Sequence, residues 1–372
     1  MGFINSNTYR EIFHQPEMWR QTYNIISERK KEISDFLSSY YNNDVTVIFT
    51  GAGTSSFVGN ILLYLMTDYG VSDFKSVATT DITTHADSVF LKDKKYILVS
   101  LARSGNSPES IAAVDIADSI CGDNIAHIYI TCNAEGALAK REDKSNVLSL
   151  ILPEATNDKG LAMTSSFSSM LLSAMLVFDV KNLDENRSQV EKLSKKAEYM
   201  LNTYAGDIQK VASLDFERAV FLGSGEKKGI GEECHLKLQE LTDGQVICLF
   251  DSFLGFRHGP KAALNEKTLI VYLFADEEKV LRYERDLVVQ INQQIKPAGQ
   301  IYVAEKKIEQ TDINFDLEMV PETYDKTNLD VILYVLVGQL LGLFKNVDLK
   351  LDPDNPSASG KIARVVEGVT IY

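Results

Sequence analysis

The stretch Val99-Ser-Leu-Ala-Arg-Ser-Gly-Asn-Ser-Pro-Glu-Ser110 decides how this chain of 372 residues is read. Tyr96 to Leu101 is apolar almost without interruption, as expected of a strand buried on both faces. It runs into a turn of hydroxyls with one glycine, and Pro108 suits the opening of a helix. Amide groups at a helix start carry partial positive charge, so the turn suits an anion such as phosphate. Ser104 and Ser107 add hydroxyl donors there. An ordinary serine N-cap is the competing reading.

Working outward, three apolar strands of the first half recur in the second. Val45–Thr50 ends in Gly51-Ala-Gly53, and Arg218–Leu222 ends in Gly223-Ser-Gly225, with Gly51 and Gly223 standing 172 positions apart. The same offset carries Ser100 to Tyr272, inside Leu269–Phe274, and Thr131 to Val303, inside Gln300–Val303. Apolar strands alternating with helical segments predict parallel sheets covered on both faces. The expectation is therefore an α/β protein with two doubly wound sheets of one topology. Ligands of such sheets sit beyond the carboxyl ends of the strands. The turns after Thr50 and Leu101 both lie at that edge and can converge on one phosphate.

Flanking segments complete the organisation. After Gln15-Pro16, Trp19, Tyr23, Ile26, Ile33, Phe36 and Tyr40 recur near helical spacing, an aromatic stripe that docks on the first sheet or on another subunit. Asp179–Arg187, with five charged residues, reads as the junction between domains, followed by a helix from Gln189 to about Tyr204. The expected blocks are a helical segment 1–42, a first domain 43–185, a second 186–352 and a tail 353–372.

Gly51-Ala-Gly53 after a strand invites a dinucleotide reading, but Gly59 stands six residues beyond Gly53 instead of three. Thr54-Ser55-Ser56 fills the gap with hydroxyls, which suits a monophosphate better.

A second constellation lies in Gly231–Gly244, expected to be one helix. At ~100° per residue, Glu233, Lys237 and Glu240 fall within about 60° of one another. Cys234, Leu238 and Leu241 flank them on one side and Leu236 on the other. A carboxylate in so dry a setting suits proton transfer; the same spacing also makes an ordinary surface ion pair. Further on, Phe253-Leu-Gly-Phe-Arg-His-Gly-Pro-Lys261 places His258 in a turn between Arg257 and Lys261. Its imidazole can give or take a proton near neutral pH.

Composition narrows the function classes. Hydrophobic residues make up 45%, a globular value, and the net charge is −14 with no basic, aromatic-rich patch, which argues against nucleic acid. No leader or run of ~20 apolar residues is read, so no membrane partner is expected. The four cysteines lack paired spacing and are expected as reduced core thiols, which suits the cytoplasm. No metal-ligand spacing is found, and neither metal nor cofactor is expected.

These motifs resemble one family almost end to end. Arg10-Glu-Ile-Phe-His-Gln-Pro-Glu-Met-Trp19, Gly51-Ala-Gly-Thr-Ser-Ser56, Ala102-Arg-Ser-Gly-Asn-Ser-Pro-Glu-Ser110, Leu236-Lys-Leu-Gln-Glu-Leu-Thr-Asp-Gly244, Gly255-Phe-Arg-His-Gly-Pro260 and Val369-Thr-Ile-Tyr372 are similar to tandem sugar isomerase (SIS) domain proteins. Among these they resemble the bacterial galactosamine-6-phosphate deaminase/isomerases, also called tagatose-6-phosphate ketose/aldose isomerases. The resemblance implies two tandem SIS domains, each a doubly wound parallel sheet flanked by helices, with an N-terminal helix. It implies aldose–ketose isomerisation of an amino-sugar 6-phosphate with ammonia release; isomerisation without deamination and a non-catalytic sensor are the alternatives.

By similarity to the isomerase half of glucosamine-6-phosphate synthase, Thr54, Ser55, Ser104 and Ser107 match phosphate-binding positions. Glu240 matches the carboxylate that moves a proton between C1 and C2, with Glu233 and Lys237 as polar neighbours. His258 matches a ring-opening histidine contributed by a partner subunit, so a homodimer or higher homo-oligomer with shared sites is implied. Ala102 stands where that relative has a hydroxyl, so one phosphate contact is either missing or replaced by Arg103 or Asn106. The relative's tail lysine has no clear match: Lys361 and Arg364 are nearby, and Glu367 falls close to its position.

Overall fold

The computed structural model describes residues 2–141, 144–308, 313–358, 360–365 and 368–372. They form two compact units built from non-contiguous pieces. One, the first-sheet unit, comprises Glu17–Asp158, Met163–Val190 and Ile362–Tyr372. The other, the second-sheet unit, comprises Met1–Pro16, Lys159–Ala162 and Glu191–Lys361.

The first-sheet unit holds β1 (Val45–Thr50), β2 (Phe74–Ser76), β3 (Lys95–Ala102), β4 (Ile125–Thr131) and β5 (Val147–Ile151), all parallel, in the order β2-β1-β3-β4-β5. Every residue of β1 and β4 is buried, which explains their unbroken apolar reading. The aromatic stripe packs inside this unit. Trp19 is fully buried and donates from Nε1 to Ser168 Oγ at 2.9 Å, and Tyr23 donates to the Leu183 carbonyl. Ser168 belongs to Ser165–Phe178, a helix buried along its whole length. That helix begins on the Asp158 carboxylate, which accepts from the amides and hydroxyls of Thr164, Ser165 and Ser166.

The second-sheet unit holds β6 (Arg218–Gly223), β7 (Ile247–Asp251), β8 (Thr268–Leu273), β9 (Gly299–Val303) and β10 (Leu317–Met319), parallel and ordered β10-β9-β8-β6-β7. With β6 set against β1, this is the strand order of the first sheet. The registers match as well: Val45 pairs with Lys95 and Arg218 with Thr268, each across 50 positions. The third strands differ by one residue. Tyr96 pairs with Ile125, 29 positions on, whereas Leu269 pairs with Gly299, 30 on, so the constant offset expected from the sequence grows to 173 there.

Two helices differ from expectation. Leu183–Ala212 is one helix of 30 residues, longer at both ends than Gln189–Tyr204, and it runs through the charged segment read as a junction. Asp184 and Glu185 lie in its first turn, where acidic side chains favour the helix dipole. The carboxylate helix starts at Glu226, not Gly231, and ends at Leu241.

All four cysteines are buried and free. Among the described residues, Asp330–Asp348 has a mean hydropathy of 1.5 over a span long enough to cross a membrane, but 94% of it is buried. Its helix Val335–Asp348 packs on Glu226–Leu241 through Gly338 and Gly342. A Cβ on Gly338 would lie 2.5 Å from that of Cys234, and one on Gly342 would lie 2.8 Å from the Lys237 carbonyl.

Candidate active site

In the first-sheet unit the strand order reverses between β1 and β3, and the turns after both strands face that switch point. After β1, Gly51 permits a close turn, since a Cβ there would come within 2.6 Å of the Ser55 backbone. Gly53 adopts φ +55°, a conformation that excludes most side chains. The helix Thr54–Leu62 therefore starts at once, with Thr54 and Ser55 buried in its first turn.

After β3 the loop is braced from the segment following β4. Asn133 Nδ2 donates to the Ser104 carbonyl at 2.9 Å, and Asn106 Oδ1 accepts from the Ala137 amide at 2.9 Å. Ser107 precedes the helix Pro108–Cys121 but does not cap it with its side chain; its hydroxyl lies 2.6 Å from that of Ser110. That removes the plain N-cap reading.

The two turns enclose a cavity of 120 Å³. Ser55, Ser104, Ser107, Ser110, Arg103 and Glu109 line it, together with Met163 and Arg364. Thr54 and Asn106 are not among its lining residues; Asn106 braces the loop instead. Ala102 contributes a methyl to its wall. Arg103 is buried and donates through Nη2 to the Arg364 carbonyl. Met163 carries no local motif, and Arg364, one of the two tail residues singled out in the sequence, is brought to the serines only by the folded chain.

In the second-sheet unit, Glu233, Lys237 and Glu240 form a row on the helix Glu226–Leu241. Lys237 Nζ lies 2.6 Å from Glu240 Oε2 and 3.5 Å from Glu233 Oε1. The side chains of Glu233 and Lys237 are 0% and 1% exposed, that of Glu240 24%. The close approach of Gly338 and Gly342 closes this helix from behind. An exposed surface pair is thereby excluded, because a buried ammonium must be held by carboxylates. Lys237 fixes the orientation of Glu240, the member of the row that reaches solvent.

His258 is exposed and follows the short helix Phe253–Phe256, beyond the carboxyl end of β7. Glu240 lies toward the other end of that strand: the neighbouring Gln239 Oε1 accepts from the amide of Cys248, near the start of β7. A strand of five residues spans about 16 Å. Within one chain, the two residues therefore belong to opposite ends of β7. Lys361 is exposed, and Glu367 lies outside the described residues.

A doubly wound α/β repeat with hydroxyls and guanidinium groups at one switch point defines an α/β protein with an anion-suited site, and residues 39–179 match the SIS domain family. Across 98% of its length the chain is 32% identical to D-galactosamine-6-phosphate deaminase AgaS of a Shewanella species, covering 91% of that protein. It is 31% identical to D-galactosamine-6-phosphate deaminase AgaS of Escherichia coli, over 98% of this chain and 95% of the relative. The crystal structure of tagatose-6-phosphate ketose/aldose isomerase from Escherichia coli superimposes with a TM-score of 0.90 at 29% identity, covering 100% of this chain and 98% of that one. The chain belongs to the AgaS family of SIS-domain proteins.

Proposed function

We propose that this protein is a sugar-phosphate isomerase/deaminase that converts galactosamine 6-phosphate and water to tagatose 6-phosphate and ammonia. The observation that carries the chemistry is Glu240, partly exposed and oriented by a buried lysine 2.6 Å away. The hydroxyl- and guanidinium-lined cavity at the β1/β3 switch point takes the phosphate and so fixes where the sugar carbons lie. His258 assists ring opening. Glu240 takes the C2 proton from the open aldehyde form as O1 gains the proton that the amino nitrogen gives up overall, passing through an enolamine, and returns the C2 proton at C1. The resulting C2 imine adds water and expels ammonia. Glu233 and Lys237 hold the base in place.

The separation of Glu240 from His258 along β7 supports completion of each site by a second copy of the chain, hence a homo-oligomer. Mixing Glu240→Gln chains with His258→Ala chains tests this, since hybrid assemblies regain part of the activity if sites are shared. Buried, unpaired cysteines suit a cytoplasmic setting.

A second reading is favoured by the name of the Escherichia coli structural relative: isomerisation of tagatose 6-phosphate without loss of ammonia. Turnover of galactosamine, glucosamine, tagatose and fructose 6-phosphates, with ammonium and ketose both quantified, separates the two. Stoichiometric ammonium supports deamination; ketose–aldose exchange alone supports the second reading. Ligand-dependent melting with no turnover of any of the four would overturn both in favour of a sensor.

A further inference from the structure

We propose that Arg364, on the carboxy-terminal segment, is a phosphate-binding residue of the β1/β3 cavity, and that this segment is a strap holding the pocket in shape. Arg364 and Val365 line the cavity that Ser55, Ser104 and Ser107 also line. The strap is fastened at both sides. Arg103 Nη2 donates to the Arg364 carbonyl, while Arg364 donates from Nε to the Asp158 carbonyl at 2.7 Å and from Nη2 to Asn157 Oδ1 at 2.8 Å. Asp158 is itself immobile, being fully buried with its carboxylate committed to the start of the helix Ser165–Phe178. Arg364 is therefore seated on a rigid platform, and little side-chain entropy remains to be lost on binding.

The electrostatics call for such a group. The chain carries a net charge of −14, so a phosphate dianion depends on local cations. A planar guanidinium brings several fixed donors and a full positive charge, which the serine hydroxyls do not. Arg103 alone is partly committed to the strap. Two guanidinium groups at one cavity, tied to each other through a main-chain carbonyl, make strap order and phosphate occupancy mutually supporting.

The substrate part of this inference rests on the function proposed above; the phosphate part does not. Both are read by comparing wild type with Arg364→Ala and Arg364→Lys. With galactosamine 6-phosphate, Arg364→Ala is expected to raise KM ~10–100-fold, the range of one or two charge-assisted hydrogen bonds. Its kcat should change little, and lysine should restore part of the loss. Independently of turnover, inorganic phosphate should raise the melting temperature of the wild type and much less that of Arg364→Ala. Should no sugar phosphate be turned over, the proposed function falls while the melting series still decides the role of Arg364. Wild-type KM together with undiminished stabilisation of Arg364→Ala by phosphate would overturn the inference. Asn157→Ala, which loosens the seat and leaves both guanidinium groups present, should give a smaller effect of the same sign.

Discussion

The two sheets share strand order and the same pair of glycine turns, yet the residues they present at their switch points have opposite chemistry. Gly53 and Gly225 have φ of +55° and +59°, and a Cβ on Gly51 or on Gly223 would collide with the backbone four residues on. At the positions equivalent by the 172-residue offset, however, Ser55 becomes Lys227 and Ser104 becomes Asp276. Lys227 is buried, paired with Glu226 at 2.8 Å and seated over the Tyr334 ring. Asp276 lies 3.2 Å from both Lys306 and Lys326 and accepts from Tyr324. The second switch point thus neutralises itself, whereas the first leaves hydroxyls and two guanidinium groups, with the single carboxylate of Glu109, around a cavity. The lesson is that the glycine turns belong to the architecture and the ligand chemistry to a handful of side chains set on it.

The largest effect should come from the unit that lacks the phosphate cavity. Glu240→Gln is expected to lower kcat on galactosamine 6-phosphate ~10²–10⁴-fold, the usual value of a positioned general base. Near wild-type turnover in that variant would remove Glu240 from the chemistry. Next, Ser104→Asp writes the second copy's residue into the first and faces the dianion with a carboxylate. KM should rise at least ~100-fold, because a hydrogen bond to charge is lost and repulsion is added. An unchanged KM would break the contrast between the two switch points.

If the glycine turns are architectural in both copies, Gly51→Ala and Gly223→Ala should each destabilise the fold by roughly 1–3 kcal/mol, the cost of forcing extra atoms into a packed site. Urea unfolding measures it, and a loss confined to Gly51→Ala would show that the second turn has relaxed.

The smallest effects are in pH dependence, where one carboxyl from each unit should act with opposite sign. His127 against Asp118, with Lys144 behind it, holds the Asp118 carboxyl down at about 2. Its folded value lies below the unfolded one, so its contribution is present above the ordinary carboxylate range and is lost as pH falls toward 2. Asp118→Asn should flatten that acid loss. Burial instead raises the carboxyl of Glu284, which accepts from the Ala275 amide at 2.8 Å. That contribution is full below the ordinary glutamate value and is lost as pH rises through the folded one. Glu284→Gln should therefore lose less stability between acidic and neutral pH than wild type. Melting temperatures across pH 2–8 check both signs.

Much of this was legible in local pattern. Strands buried on both faces leave continuous apolar runs, and β1, β3, β4, β6, β8 and β9 stand where those runs lie. The glycine turns and serine loops were readable because turn chemistry depends on neighbours in sequence. What local pattern misjudged was helix extent. Gly231 read as a helix start, but it lies within Glu226–Leu241, in a position where a Cβ would meet Phe221 at ordinary contact distance. The charged segment Asp179–Arg187, read as a junction, runs into a helix whose Asn186 is buried against Asp179, and the division between the two units falls a few residues on, after Val190.

The amino-acid order alone determined two α/β repeats, a hydroxyl-rich turn at one sheet edge and a charged row on one helix, because periodicity and turn propensity act over a few residues. Tertiary structure decided the rest. Lys237 is dry because Gly338 and Gly342 let another helix approach, and Arg364 reaches Arg103 across 261 positions of chain. No local rule encodes either contact, since each depends on surfaces that exist only once distant segments have packed.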